Sequence, residues 1–187
     1  MSASTRVLIL PGRGNSGAKH WQSVWQDAHP EFVRVLQRDW DNPDADEWVA
    51  ALDAAIQIDP APVVLVAHSL AVVTVTHWAA RHRGPVAGAL LVSPTDVERA
   101  DYPPGTSGFV PVPQQRLPFP SIVVASEDDP RVSLERARAF SAAWGSRLQV
   151  AGALGHLGTA SDLGAWPFGA ALLDELLHAS VQGIPAS

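Results

Sequence analysis

Apolar residues fall along this chain in two kinds of run. The first is short, unbroken and rich in β-branched residues: Arg6 to Leu10 (RVLIL), Val63 to Ala67 (VVLVA), Val86 to Val92 (VAGALLV) and Ser121 to Ala125 (SIVVA). Runs of this length and composition predict strands buried on both faces. Phe32 to Leu36 and Arg147 to Val150 are shorter strand candidates. The second kind is apolar on one side only. Lys19 to Ala28 places Trp21 and Trp25 one helical turn apart, and Ala45 to Gln57 turns Trp48, Leu52, Ala55 and Ile56 inward behind the cap signal Asp41-Asn42-Pro43-Asp44. Val72 to Arg83, Leu134 to Trp144 and Phe168 to His178 also read as helices, with a frayed tail expected from Ala179. Strand and helix alternate about six times, which predicts an α/β fold: a parallel sheet with right-handed crossovers and helices on both faces.

In such sheets ligands meet the carboxyl ends of the strands. Arg13, Ser69, Asp128, Asp129 and His156 each stand just after a strand, so the fold gathers them on one edge. Ser69 lies in Ala67-His68-Ser69-Leu70-Ala71, between a buried strand and a helix. That is the layout of a nucleophile elbow, a tight turn that lifts the serine hydroxyl clear of the backbone. Small residues are needed on both sides because strand end and helix start crowd together. The usual pattern has glycines where this chain has Ala67 and Ala71. Alanine fits sterically but tolerates positive φ less well than glycine. The plainer reading is a serine that caps a helix.

A serine hydroxyl needs a base to become a nucleophile, and the base needs an orienting acid. In chain order the candidates are Ser69, Asp129 (or Asp128) and His156, the order of an α/β-hydrolase. Singly, each has a dull explanation: a cap, a turn start before Pro130, a loop histidine. Their coincidence on the expected strand ends, in the expected order, favours acyl transfer, in which His156 takes the Ser69 proton and Asp129 fixes the imidazole. The tetrahedral oxyanion then needs preorganised N–H donors. The backbone N–H of Leu70 is one, and that of Arg13, in the glycine-rich turn Pro11 to Gly17, is the other. This turn lacks the spacing of a phosphate loop. Gly12, Gly14 and Gly17 match the dinucleotide fingerprint, yet only Asp39 or Asp41 could serve as its ribose-binding acid.

The segment from Ser93 to Pro120 holds seven prolines and cannot be regular structure. It leaves a strand end beside Ser69, so it is expected to roof the pocket, with Tyr102, Phe109, Val110 and Leu117 as an apolar lining. A surface loop stiffened by proline is the alternative. Most of the seven tryptophans are core by default, while Trp40 and Trp166, in loops, are candidates to line the pocket. His68 is expected to pack under the elbow and His20 to start a helix rather than act as a second base.

Composition narrows the picture. The 187 residues suit one domain with a sizeable core. The net charge of −6 disfavours nucleic acid and anionic membranes as partners. The absence of cysteine removes disulfides, thiolate zinc sites and a thiol nucleophile. No histidine–carboxylate cluster has metal-ligand spacing, so no metal is expected. Met1 to Thr5 lacks the apolar core of a signal peptide, and no apolar run is long enough to span a membrane, so a cytoplasmic location is expected.

Several motifs together resemble the YdeN-like family of small serine hydrolases in the α/β-hydrolase superfamily. They are Leu10 to Gly17, His20-Trp21-Gln22, Arg38-Asp39-Trp40, Ala67 to Ala71, Ser126 to Pro130, Gly155-His156 and Trp166-Pro167-Phe168-Gly169, and the match runs from about Val7 to Leu177. The resemblance implies a three-layer α/β/α fold with a sheet of about six strands in order 2-1-3-4-5-6. It implies Ser69 as nucleophile, His156 as base, Asp129 as acid, and hydrolysis of a small-molecule ester or amide with no cofactor and no large lid domain. The departure is Ala71, where the family has glycine. A carboxylesterase leads; a peptidase or amidase with the same three residues, or a binding or scaffold protein on the same fold, are the alternatives.

Overall fold

Along the first strand, β1 (Arg6–Leu10), side chains alternate between two separate cores. Val7 and Ile9 enter one and Leu8 and Leu10 the other, as the pleat requires. The central strand β3 (Val63–His68) does the same: Val64 and Val66 join the first core, and Val63, Leu65 and Ala67 the second. Both faces of the sheet are therefore covered by helices. A computed structural model describes residues 4–182 of the chain.

With β2 (Val33–Arg34), β4 (Val86–Val92), β5 (Ser121–Ala125) and β6 (Arg147–Val150), the strands form one parallel sheet in the order β2-β1-β3-β4-β5-β6. Helix α1 (Trp21–Ala28) and helix α5 (Pro167–Gln182) supply Trp21, Trp25, Leu173 and Leu176 to one core. On the other face, α2 (Ala45–Gln57), α3 (Leu70–Arg81) and α4 (Leu134–Trp144) supply Trp48, Trp78 and Trp144. This is the expected three-layer sandwich with the expected strand order.

Local chemistry sets the helix ends. Asp44 caps α2 by accepting from the N–H groups of Asp46 and Glu47 at 3.0 and 3.1 Å. Ser133 caps α4, which ends on Gly145 in the left-handed conformation at φ 68°. Proline opens α5, where its missing N–H is no loss. Several bounds differ from expectation: α1 starts at Trp21 rather than Lys19, and α3 runs from Leu70 to Arg81 rather than from Val72 to Arg83. β2 is shorter than Phe32 to Leu36 because it is an edge strand: Arg34 is drawn aside to Asn15, Ser23 and Gln26, and Leu36 faces solvent. Helix α5 continues past Ala179 to Gln182, while the rest of the expected frayed tail, 183–187, lies outside the described residues, as do residues 1–3. Among the described residues no helix is long and apolar enough to cross a membrane.

Candidate active site

Ser69 occupies the N-cap position of α3, but its side chain does not cap the helix. Its backbone lies at φ 59°, ψ −124°, a region that side chains rarely visit. The positive φ falls on the serine itself and on neither Ala67 nor Ala71. The alanines are fully buried and supply only the small volume that the turn needs. The hydroxyl is thus freed for other partners. The close approach demanded by the elbow is met at Gly12: a Cβ there would lie 2.8 Å from Ser69 Cβ and 3.0 Å from the His68 carbonyl oxygen.

His156 sits in the loop after β6, between Gly155 at φ 62° and Leu157 at φ 47°. These two left-handed residues direct the histidine across the strand ends. Leu157 is buried beneath, and its carbonyl accepts from Trp21 Nε1 at 2.8 Å. Asp128, the alternative acid, braces this loop instead, its carboxylate accepting from Gly155 N–H at 2.7 Å and from the Ser126 hydroxyl at 2.8 Å. Asp129 faces the imidazole. His156 Nδ1 lies 2.9 Å from both of its carboxylate oxygens, and that carboxylate is wholly shielded from solvent.

His156 Nε2 lies 2.8 Å from Ser69 Oγ. The carboxylate can only accept, so Nδ1 carries the proton and Nε2 is left as acceptor. Ser69 therefore donates its hydroxyl to Nε2. A second hydroxyl, Thr95 Oγ1, lies 2.8 Å from Ser69 Oγ. Since Ser69 has spent its only proton on His156, Thr95 is the donor of that bond. Sequence reasoning missed Thr95; its one signal was a buried hydroxyl just past β4, on the edge that carries the other candidates.

Among the described residues the backbone N–H groups of Leu70 and Arg13 have no hydrogen-bond partner. Leu70 opens α3, so its N–H is one of the helix's unpaired donors. Gly14 N–H is held by the Trp40 carbonyl at 2.9 Å, which fixes the turn around Arg13. The glycines of this turn serve the approach to Ser69, and the Asp39 carboxylate caps its own loop at Asp41 and Asn42 rather than facing a ribose site.

Two more histidines stand behind the site. His68 is buried, and burial holds its imidazole neutral, well below the ordinary histidine range. Its Nε2 donates to the His156 carbonyl at 2.9 Å and so steadies the loop. His20 caps α1 through Nδ1, which accepts from Gln22 N–H. Burial, with Arg34 and His156 adding to it, lowers its pKa to about 4. Both expectations for these residues hold.

The cleft over Ser69 has a volume of about 270 Å3 and is bounded by Gly12, Arg13, His20, Thr95, Tyr102, Arg131 and His156, among others. A larger cavity of about 720 Å3, at Arg116 to Ile122 and Gly145 to Arg147, sits at the opposite, amino edge of β5 and β6. Three expected lining residues are corrected. Trp166 is buried against Trp21 and Trp25, its indole lying over Gly169, where a Cβ would come within 2.2 Å of the ring. Phe109 is buried among Trp48 and His77. Trp40 packs edge-on to Trp48 rather than on the cleft. In the proline-rich segment only Thr95, Tyr102 and Pro103 reach the cleft, while Leu117 is core and Val110 faces solvent. Large apolar side chains gain more from the dry core than from a wet cleft.

The serine hydrolase family model matches residues 7–175. The chain belongs to the serine hydrolase family. Among solved structures, it is similar to a protein described as a YdeN-like hydrolase from Pectobacterium atrosepticum, at 29% identity and a TM-score of 0.84, covering 95% of this chain and 92% of that one. It also resembles the ydeN gene product of B. subtilis in fold, at 17% identity and a TM-score of 0.70 over 94% and 100% of the two chains. A thermophilic esterase from Thermogutta terrifontis shares the fold at 16% identity and a TM-score of 0.64, over 96% and 92%. No curated protein matches by sequence. The YdeN-like resemblance and the α/β-hydrolase fold read from the motifs therefore stand.

Proposed function

We propose that this serine hydrolase cleaves small-molecule esters by an acyl-enzyme route with Ser69 as nucleophile, His156 as base and Asp129 as the orienting acid. One observation carries the reading: His156 is held at 2.9 Å by a buried carboxylate on one side and lies 2.8 Å from a strained, uncapped serine on the other. As Ser69 Oγ bonds to the acyl carbon, its proton passes to His156 Nε2. The oxyanion is received by the free N–H groups of Leu70 and Arg13. Collapse of the tetrahedral intermediate breaks the bond to the leaving alkoxide, which takes the proton from His156. Water, deprotonated by the same imidazole, then releases the acid and restores Ser69. Asp129 stabilises the imidazolium in both halves. The esterase among the structures of similar fold supports an ester over an amide.

The test is labelling with a fluorophosphonate probe. Wild type is expected to label, and Ser69→Ala to lose labelling completely while keeping its circular dichroism spectrum. A well-folded wild type that does not label would remove the hydrolase reading and favour a binding role for the same cleft.

A further inference from the structure

Every charged residue on the cleft wall is an arginine. Among the described residues no carboxylate lines it, although the whole chain carries a net charge of −6. The two arginines, Arg13 and Arg131, are also unneutralised. Arg13 Nε donates to the Asp41 carbonyl at 2.9 Å and its Nη1 to the Pro103 carbonyl at 3.4 Å, which fixes the guanidinium without cancelling its charge.

Arg131 has a pinned backbone and a free side chain. Its N–H donates to Asp129 Oδ1 at 2.8 Å, and its carbonyl accepts from Asp96 N–H at 3.2 Å. Among the described residues its guanidinium has no hydrogen bond and no ion pair, and it is exposed. The acidic groups around the mouth are engaged elsewhere: Asp96 and Glu98 with Arg136, Asp101 with Arg99, Asp129 with His156. Tyr102, whose hydroxyl burial makes harder to ionise, lines the same cleft as both arginines. The remaining wall adds an unpaired buried donor, His20 Nε2, whose partner nitrogen is committed to Gln22 N–H.

We propose that the substrate carries an anionic group, a carboxylate or phosphate, near its scissile carbonyl, and that Arg131 together with Arg13 receives it at the mouth of the cleft. This rests on the hydrolase reading for its chemistry but not for its binding. A guanidinium free of carboxylate partners is a ready bidentate anion receptor. One anchored and one unpaired arginine suit substrate entry: Arg13 sets the position, and Arg131 is free to pair with the incoming charge.

Binding tests this apart from turnover. The Ser69→Ala protein is titrated by calorimetry with two matched pairs: monoethyl adipate against ethyl hexanoate for an anion on the acyl side, and acetylated γ-hydroxybutyrate against butyl acetate for one on the leaving side. The anionic member of one pair is expected to bind about tenfold more tightly, a preference that shrinks in high salt and approaches unity when Arg131→Gln is added. Which pair shows it tells the side. In the active enzyme, the kcat/KM ratio within that pair should fall by a similar factor in Arg131→Gln. Equal or weaker binding of both anionic members, or a preference that survives Arg131→Gln, overturns the proposal. Absence of turnover with an intact, Arg131-dependent binding preference would overturn the hydrolase reading alone.

Discussion

A backbone held outside the common φ/ψ wells costs on the order of 1–3 kcal/mol. Ser69, at φ 59°, is kept there by its neighbours: its N–H donates to the Val92 carbonyl at 2.9 Å, its carbonyl accepts from Val72 N–H at 3.0 Å, and its hydroxyl lies between His156 and Thr95. In the mechanism proposed above, the Thr95 bond would hold the serine rotamer and steady the oxygen as its proton leaves. Thr95→Val, which keeps the shape and removes the hydroxyl, should lower kcat about tenfold with little change in KM. Thr95→Ser should recover most of the rate. Steady-state kinetics on an activated acetate ester checks both, and a parallel rise in KM would point to a merely structural role. The placement of Ser69, His156 and the pair Asp128-Asp129 on one sheet edge was legible in the sequence because each follows a strand. Thr95 was not, because its role depends on a bond to a residue 26 positions away, made from a segment without periodicity.

Between elements, the decisive contact is the turn after β1 pressed onto the β3–α3 elbow. The atoms nearest a Cβ at Gly12 are Ser69 Cβ at 2.8 Å and the His68 carbonyl oxygen at 3.0 Å, neither of which can swing aside. Gly12→Ala should therefore destabilise the fold by about 1–3 kcal/mol, as overpacking does. It should also slow fluorophosphonate labelling about a hundredfold, since a misplacement of about an ångström costs that much. Urea melts and labelling time courses measure the two effects; normal labelling at reduced stability would mean that the elbow adapts. Element bounds were well read wherever a cap or a buried run fixed them, as in α2 and β4. They failed at β2, where an edge strand has neighbours on one side only. The loop aromatics Phe109 and Trp166 were misplaced because loop position says nothing about which way a side chain turns, and the dry interior claims large rings.

At the scale of the whole molecule, two buried neutral histidines tie stability to pH. Folded His20 has a pKa of about 4 against an ordinary 6.5, and His68 is shifted the same way. Below pH 6.5 the unfolded chain takes up protons that the folded chain refuses, so stability is full above that pH and declines as the pH falls toward 4. His20 alone should account for roughly 2–3 kcal/mol between pH 7 and 4.5. Urea denaturation at the two values should show the loss in wild type and a smaller one in His20→Asn, which can still cap α1. The same slope in both proteins would assign the acid sensitivity to His68 or to other groups. The parallel sheet was determined by the sequence itself, because buried runs and amphipathic stretches have periods that a chain carries locally. So was the edge on which the chemistry gathers, since strand direction and right-handed crossovers leave one choice. Only the tertiary structure decided the rest: that Thr95 joins Ser69, that Asp128 braces while Asp129 faces the imidazole, and that two arginines ring the cleft. Those relations join residues from separate strand ends, and no local pattern records a distance that closes only when the sheet does.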